Sequence, residues 1–273
     1  MSGKSKIQNR KSETCKVLTI AGSDSGGGAG IQGDLKTIQA LGGYGMSAIT
    51  ALTAQNTLGV RGILPVPPRF VALQIETVLS DIGVDAVKTG MLANAGIIAA
   101  VARTLAKYRV RKLVVDPVMV SKSGHALLEP GAEKALVKQL LPLALLVTPN
   151  LAEAARLAGF PVETREGMIH AARAIQRLGA RNVLVKGGHL AGDPVDMLLK
   201  GRQIIEIRGE RLRSGPAHGT GCALASAIAT LLAQGHDLVE SVRGAKAFVA
   251  EGMRRGFRVG RGHGVLGTVM RDP

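Results

Sequence analysis

The chain has 273 residues, 46% apolar and 2% aromatic, with 36 Gly and no Trp. That excludes wholesale disorder and demands a core of Ala, Val, Ile and Leu, as in a parallel sheet covered by helices on both faces. Thirty-five Lys and Arg against 20 Asp and Glu leave a net charge of +15, high enough to raise nucleic acid as a partner.

Short β-branched runs alternate with helical patterns along the chain. Residues 17–21 predict a buried strand that ends in a Gly-rich turn over 22–30. Ile31, Leu35, Ile38 and Leu41 share one face and predict a helix over 31–41. A strand is expected over 46–52 and, after the Pro67-Pro68 pair, a helix over 70–82. Strands over 86–89 and 113–116 flank a helix over 96–108. There follow a helix near 133–141, a strand over 145–148, helices over 151–157 and 168–178, and a strand over 182–186. Residues 196–200 and 203–207 predict a hairpin around Gly201-Arg202, and helices over 219–233 and 238–252 close the pattern.

This β–α alternation predicts an α/β fold, a three-layer α/β/α sandwich with a mostly parallel central sheet. One domain is expected over residues 16–273, behind a basic, flexible extension over 1–15. Nearly half of the excess charge lies at the ends, +4 over residues 1–16 and +3 over 251–273. With so few aromatics to stack on bases, that placement argues against nucleic acid as the main partner and favours an enzyme acting on anionic phosphates. Two cysteines, Cys15 and Cys222, make no disulfide framework. The polar N-terminus lacks a signal-peptide run, and no stretch has the apolar character of a membrane span. A soluble cytoplasmic protein is expected.

Ligands of such folds collect beyond the carboxyl ends of the strands. The most informative segment there is AHGTGCAL, 217–224, directly before an Ala-rich helix. Its glycines let successive N–H groups converge on an anion, with the helix dipole adding positive potential. Cys222 falls in the first turn, where that field is expected to lower a thiol pKa toward neutrality and make a base for a substrate hydroxyl. The alternative is a small buried cysteine. The loop 22–30 (GSDSGGGAG) lacks the spacing of a Walker loop or a dinucleotide fingerprint; Asp34, one turn into the next helix, can point back toward it. The G-x-G-x-x-G match at 262–267 leaves no room for a βαβ unit and reads as fortuitous.

Polar residues end five of the predicted strands: Gln55 and Asn56, Lys88 and Thr89, Asp116, Asn150 followed by Glu153, and Lys186 before Gly187-Gly188-His189. Asp116 and Glu153 suit Mg²⁺ ordered through waters, and Lys186 suits phosphates. Each also has a plain structural reading: Asp116 as a turn former before Pro117, Asn150 and Glu153 as a capping box, Lys186 as a solvated strand end.

The segments AGSDSGGGAGIQGDLKT (21–37), ITALTAQNT (49–57), KTGML (88–92), VVDPVMVSKSGHALL (114–128), TPNLAEA (148–154), VLVKGGH (183–189) and HGTGCALASAIA (218–229) resemble the hydroxymethylpyrimidine/phosphomethylpyrimidine kinases of thiamine biosynthesis, in the ribokinase-like superfamily. The resemblance implies ATP-dependent phosphorylation of 4-amino-5-hydroxymethyl-2-methylpyrimidine and then of its monophosphate, with Mg²⁺, in a homodimer. It further implies Cys222 as catalytic base, Gly219, Thr220 and Gly221 as the anion hole, and Gly22, Asp34, Gln55, Met91 and Val118 as the pyrimidine pocket. Lys186 and Asn150 would face ATP phosphates, and Asp116 and Glu153 the metal. Pyridoxal or pyridoxine kinase is the alternative on the same scaffold. No fused thiamine-phosphate synthase is expected, and the loops 65–68 and 121–125 are candidates to cover the site.

Overall fold

The computed structural model describes residues 14–121, 124–188, 194–210 and 218–267. Residues 1–13 of the expected extension, Ala217, His189 and part of the 121–125 loop lie outside them. One nine-stranded sheet has the order β3-β2-β1-β4-β5-β6-β7-β8-β9. It is built from β1 (Lys16–Asp24), β2 (Tyr44–Asn56), β3 (Gly59–Pro65), β4 (Ala86–Thr89), β5 (Leu113–Val115), β6 (Leu146–Val147), β7 (Asn182–Val185), β8 (Val195–Lys200) and β9 (Gln203–Arg208). The central pairs are parallel. The edges, β2 with β3 and β7 through β9, are antiparallel.

Alternation along each central strand sends successive side chains to opposite faces. Leu18, Val87, Val115, Val147 and Val183 pack in one apolar cluster; Val17, Ala86, Val114, Leu146 and Leu184 pack in the other. The first cluster meets α2 (Pro68–Asp81), α3 (Ala95–Lys107), α4 (Ala132–Ala135), α5 (Leu151–Ala158) and α6 (Arg165–Arg177). The second meets α1 (Gly30–Ala40), α7 (Thr220–Ala233) and α8 (Leu238–Arg254). This is the expected three-layer sandwich.

Four expectations change. β1 does not stop at Ala21: after a bulge, Ser23 and Asp24 pair with Leu52 and Thr53, so the sheet carries Asp24 into the site. Strand β3, unforeseen because Gly59 and Gly62 interrupt the apolar alternation by which a strand is read, folds back on β2. The helix expected near 133–141 is only four residues of α4 followed by a wide turn, Leu136–Leu140, and a tight one, Leu141–Leu143. Pro142 has no N–H to continue an α-helical ladder. Strand β2 outruns its expected 46–52, and after β3 the Val66 N–H donates to Thr50 O at 2.9 Å before Pro68 opens α2. Near the C-terminus the Gly262 N–H donates to Thr57 Oγ1 at 3.2 Å and clasps the β2–β3 turn.

Candidate active site

The carboxyl ends of β1, β2, β4, β5, β6 and β7 converge beside the start of α7. Gly219 takes φ +87°, and a Cβ there would drive into Gly28 O, so the 219–221 loop is seated on the first Gly-rich loop. Among the described residues no side chain caps α7, which leaves the first-turn N–H groups of Thr220, Gly221 and Cys222 open to a ligand. A Cβ on Gly221 would lie 3.4 Å from Lys186 Nζ and 3.8 Å from Asp116 Oδ2. The amide cradle, the lysine and the carboxylate therefore face one space.

Cys222 is free and partly exposed. The low pKa expected of it is not found. Burial pushes the thiol up to about 11; Lys88 opposes this, while Asp34 and Asp116 add to it. Desolvation outweighs the pull of Lys88 because a thiolate there gives up its hydration in a site that already holds two carboxylates.

Asp34 also departs from expectation. It is 0% exposed and does not line the pocket. Its carboxylate takes Lys88 at 2.7 and 2.9 Å, Thr19 at 2.6 Å and Ser226 at 2.7 Å, which leaves nothing for a ligand ring. Lys88 is equally buried; burial alone would lower its pKa, but Asp34 together with Cys222 and Asp116 outweighs that and holds it above the usual value. Ser226 lies one turn after Cys222 on the same face of α7, so this ion pair forms the floor beneath the thiol. A lysine inside the buried run DAVKTG was the available signal, since a charge there needs a counter-ion.

Lys186 Nζ binds Asp116 Oδ1 at 2.9 Å, and Thr148 donates to the same oxygen at 3.3 Å. Burial would lower the Lys186 pKa, but Asp116 and Glu153 raise it above normal. Asn150 and Glu153 form a full capping box on α5: Glu153 N–H donates to Asn150 Oδ1 at 2.9 Å and Asn150 N–H to Glu153 Oε2 at 2.8 Å. The oxygen of Asn150 is thus committed, and only its NH₂ group remains for phosphate. Glu153 is 6% exposed; burial and the Asp116 charge push it up to about 7 against the pull of Lys186. Two buried hard-oxygen donors that share the single counter-charge of Lys186 fit Mg²⁺, which is held by one or two carboxylates and keeps several waters.

A Cβ on Gly22 would lie 3.0 Å from the Met91 sulfur, and Thr50 Oγ1 holds Met91 O at 2.6 Å. Val118 borders a small cavity with Thr89, Asp116 and Pro117. Gln55 contacts His218 at 3.0 Å, and His218 contacts Asp24 at 3.1 Å. Sequence reasoning passed over Asp24 and His218; the histidine was hidden in plain view beside the glycines that drew attention.

A family model described as phosphomethylpyrimidine kinase matches residues 24–267. The chain belongs to that family. Over 248 residues it is 50% identical to the hydroxymethylpyrimidine/phosphomethylpyrimidine kinase of Streptomyces coelicolor, covering 91% of this chain and 92% of the relative. It is 56% identical to the thiamine biosynthesis bifunctional protein ThiED of Geobacter sulfurreducens over 93% of this chain, but spans only 52% of that relative's length. The solved pyridoxal kinase of Staphylococcus aureus in complex with AMP-PCP and pyridoxal superposes with a TM-score of 0.86 at 39% identity, covering 93% of each chain. A kinase on the ribokinase-like fold is thereby established.

Proposed function

We propose that this kinase transfers the γ-phosphoryl group of ATP to the hydroxymethyl group of 4-amino-5-hydroxymethyl-2-methylpyrimidine and then to the resulting monophosphate. One observation carries the reading: an uncapped helix start bearing a thiol, closed on its open side by Lys186 and Asp116. The N–H groups at Thr220, Gly221 and Cys222 hold the transferring group, where charge spreads over its equatorial oxygens. From the thiolate form of Cys222, the hydroxymethyl oxygen forms the new P–O bond, the bond to the ADP oxygen breaks, and the hydroxyl proton passes to the thiolate, leaving the thiol. Asp116 and Glu153 would hold Mg²⁺, which neutralises phosphate charge when bound; Lys186 and the Asn150 NH₂ position the phosphates. Gln55, Met91, Val118 and Gly22 form the ring pocket, with Gln55 hydrogen-bonding and the others packing.

A pocket of the same scaffold in a pyridoxal kinase supports a second reading, pyridoxal or pyridoxine as substrate. Direct competition between the two rings for ATP-dependent turnover separates them. The exposed apolar face of β2, β3 and α2 supports a homodimer, and the two free cysteines support work in a reducing compartment. No helix among the described residues is long and apolar enough to cross a membrane.

The first test follows product formation with purified protein, the pyrimidine, ATP and Mg²⁺; absence of both mono- and diphosphate rejects the reading. With a thiol near 11, the thiolate grows tenfold per pH unit below that value. Wild-type turnover is expected to rise with pH on a logarithmic scale, and Cys222→Ala to be flat and about 10²-fold slower at neutral pH. Parallel profiles would remove Cys222 from the proton path.

A further inference from the structure

Gln55 ends β2 with its amide between two neighbours: Nε2 is 3.0 Å from His218 Nε2, and Oε1 is 3.2 Å from Thr53 Oγ1. His218 Nε2 also lies 3.1 Å from Asp24 Oδ2. Asp24 is 3% exposed and accepts N–H bonds from Gly26, Gly28 and Ala29. Burial pushes its pKa up, but His218 and these bonds outweigh burial and hold it below the usual range. The carboxylate has no hydrogen to give, so the hydrogen between it and His218 sits on the imidazole Nε2. That nitrogen then has no lone pair for the Gln55 NH₂ group. Thr53 points the same way: its hydroxyl donates to Ser23 O at 2.8 Å and has only lone pairs left for Gln55. With Oε1 facing His218 the amide accepts a share of the one Nε2–H that also reaches Asp24 Oδ2, and with Nε2 facing Thr53 it donates to the hydroxyl oxygen, so neither contact is mispaired. The two ends of an amide are alike in shape, and their partners decide between them.

We propose that His218, oriented by Asp24, locks the Gln55 amide in this one sense and so acts as a specificity-determining positioning residue for the ring. The proposal rests on the pyrimidine-kinase reading above. A locked amide presents one acceptor and one donor in a set order. The edge of a 4-aminopyrimidine carries a donor amine beside an acceptor ring nitrogen; a 4-oxopyrimidine of the same shape carries the reverse. The hydroxymethyl group must point at Cys222 and the 219–221 cradle, so the ring cannot turn over to repair a mismatch. An amide released from His218 can turn instead, and then serves both rings.

The test compares kcat/KM for 4-amino-5-hydroxymethyl-2-methylpyrimidine and its 4-oxo analogue in wild type, His218→Leu, His218→Gln and Thr53→Val. The amino-to-oxo ratio is expected to fall at least about tenfold in His218→Leu and Thr53→Val, the scale of one mispaired polar contact. His218→Gln keeps a side-chain N–H and should recover most of it. A ratio within one preparation does not depend on the fraction folded, and Thr53→Val decides if His218→Leu does not fold. An unchanged ratio, or equal losses on both rings, overturns the assignment. Wild type that phosphorylates neither ring overturns the pyrimidine reading with it; turnover of the amino ring with insensitive ratios overturns only the role of His218.

Discussion

Glu153 serves two masters. Its carboxylate caps α5 and also faces the space where phosphates and Mg²⁺ belong, and the fold without ligands favours its neutral form, with a pKa raised from 4.5 to about 7. A raised pKa contributes stability that is whole below 4.5 and is lost as pH rises through about 7. Glu153→Gln stays neutral at every pH and keeps a capping box, since Gln accepts the Asn150 N–H equally well. The variant is therefore expected to melt with wild type below pH 4.5 and several degrees above it beyond pH 7, while losing turnover. Mg²⁺ and ATP should narrow that gap by restoring counter-charge to the wild-type carboxylate. Melting curves across pH, with and without the ligands, check this; a gap independent of pH would mean that the Glu153 charge is not strained.

At the scale of elements, catalysis depends on how α7 begins. Gly219 is a left-handed start pressed against Gly28 O, whereas Gly42 has a similar φ of +78° with nothing within 4 Å of its missing Cβ. Both Gly→Ala changes incur the left-handed penalty, about 1–2 kcal/mol. Only Gly219→Ala must also push the cradle off the first Gly-rich loop. The melting temperature should fall in both variants, slightly in Gly42→Ala and further in Gly219→Ala, whose Cβ also meets Gly28 O. Turnover should slow by about 10²-fold or more in Gly219→Ala and stay unchanged in Gly42→Ala. Equal kinetics in the two variants would show that the loop contact does not shape the site.

At the scale of the whole molecule, the β2–β3 arm and α2 carry several exposed large apolar side chains among the described residues. Leu52 and Leu64 oppose each other across the pair and are 46% and 66% exposed; Phe70 and Leu73 on α2 are 55% and 53% exposed. Contiguous apolar surface of this kind marks an interface, and a second copy is the proposed occupant. Sedimentation is expected to give twice the 28.3 kDa chain mass, falling to one copy in Leu64→Lys/Leu73→Lys. A monomeric wild type would remove the dimer from the proposal.

Much of this was legible from the residues alone. Period-two and period-3.6 patterns are local, so the order of strands and helices apart from β3 and the broken 133–141 helix, and the helix start at Gly219 with its adjoining Cys222, could be read without coordinates. Capping is local as well, which is why Asn150 and Glu153 appeared as a box from their spacing. What the sequence could not show is which charges meet and how dry they become. Lys88 and Asp34 are 54 positions apart, and Ser226 is 192 from Asp34; only the packed sheet joins them beneath Cys222, takes Asp34 out of the ring pocket and drives the thiol up where helix-end reasoning pointed down. Local pattern decides the elements because backbone geometry is repetitive, whereas pKa values and hydrogen-bond partners follow desolvation and distance, and those exist only once the chain has closed on itself.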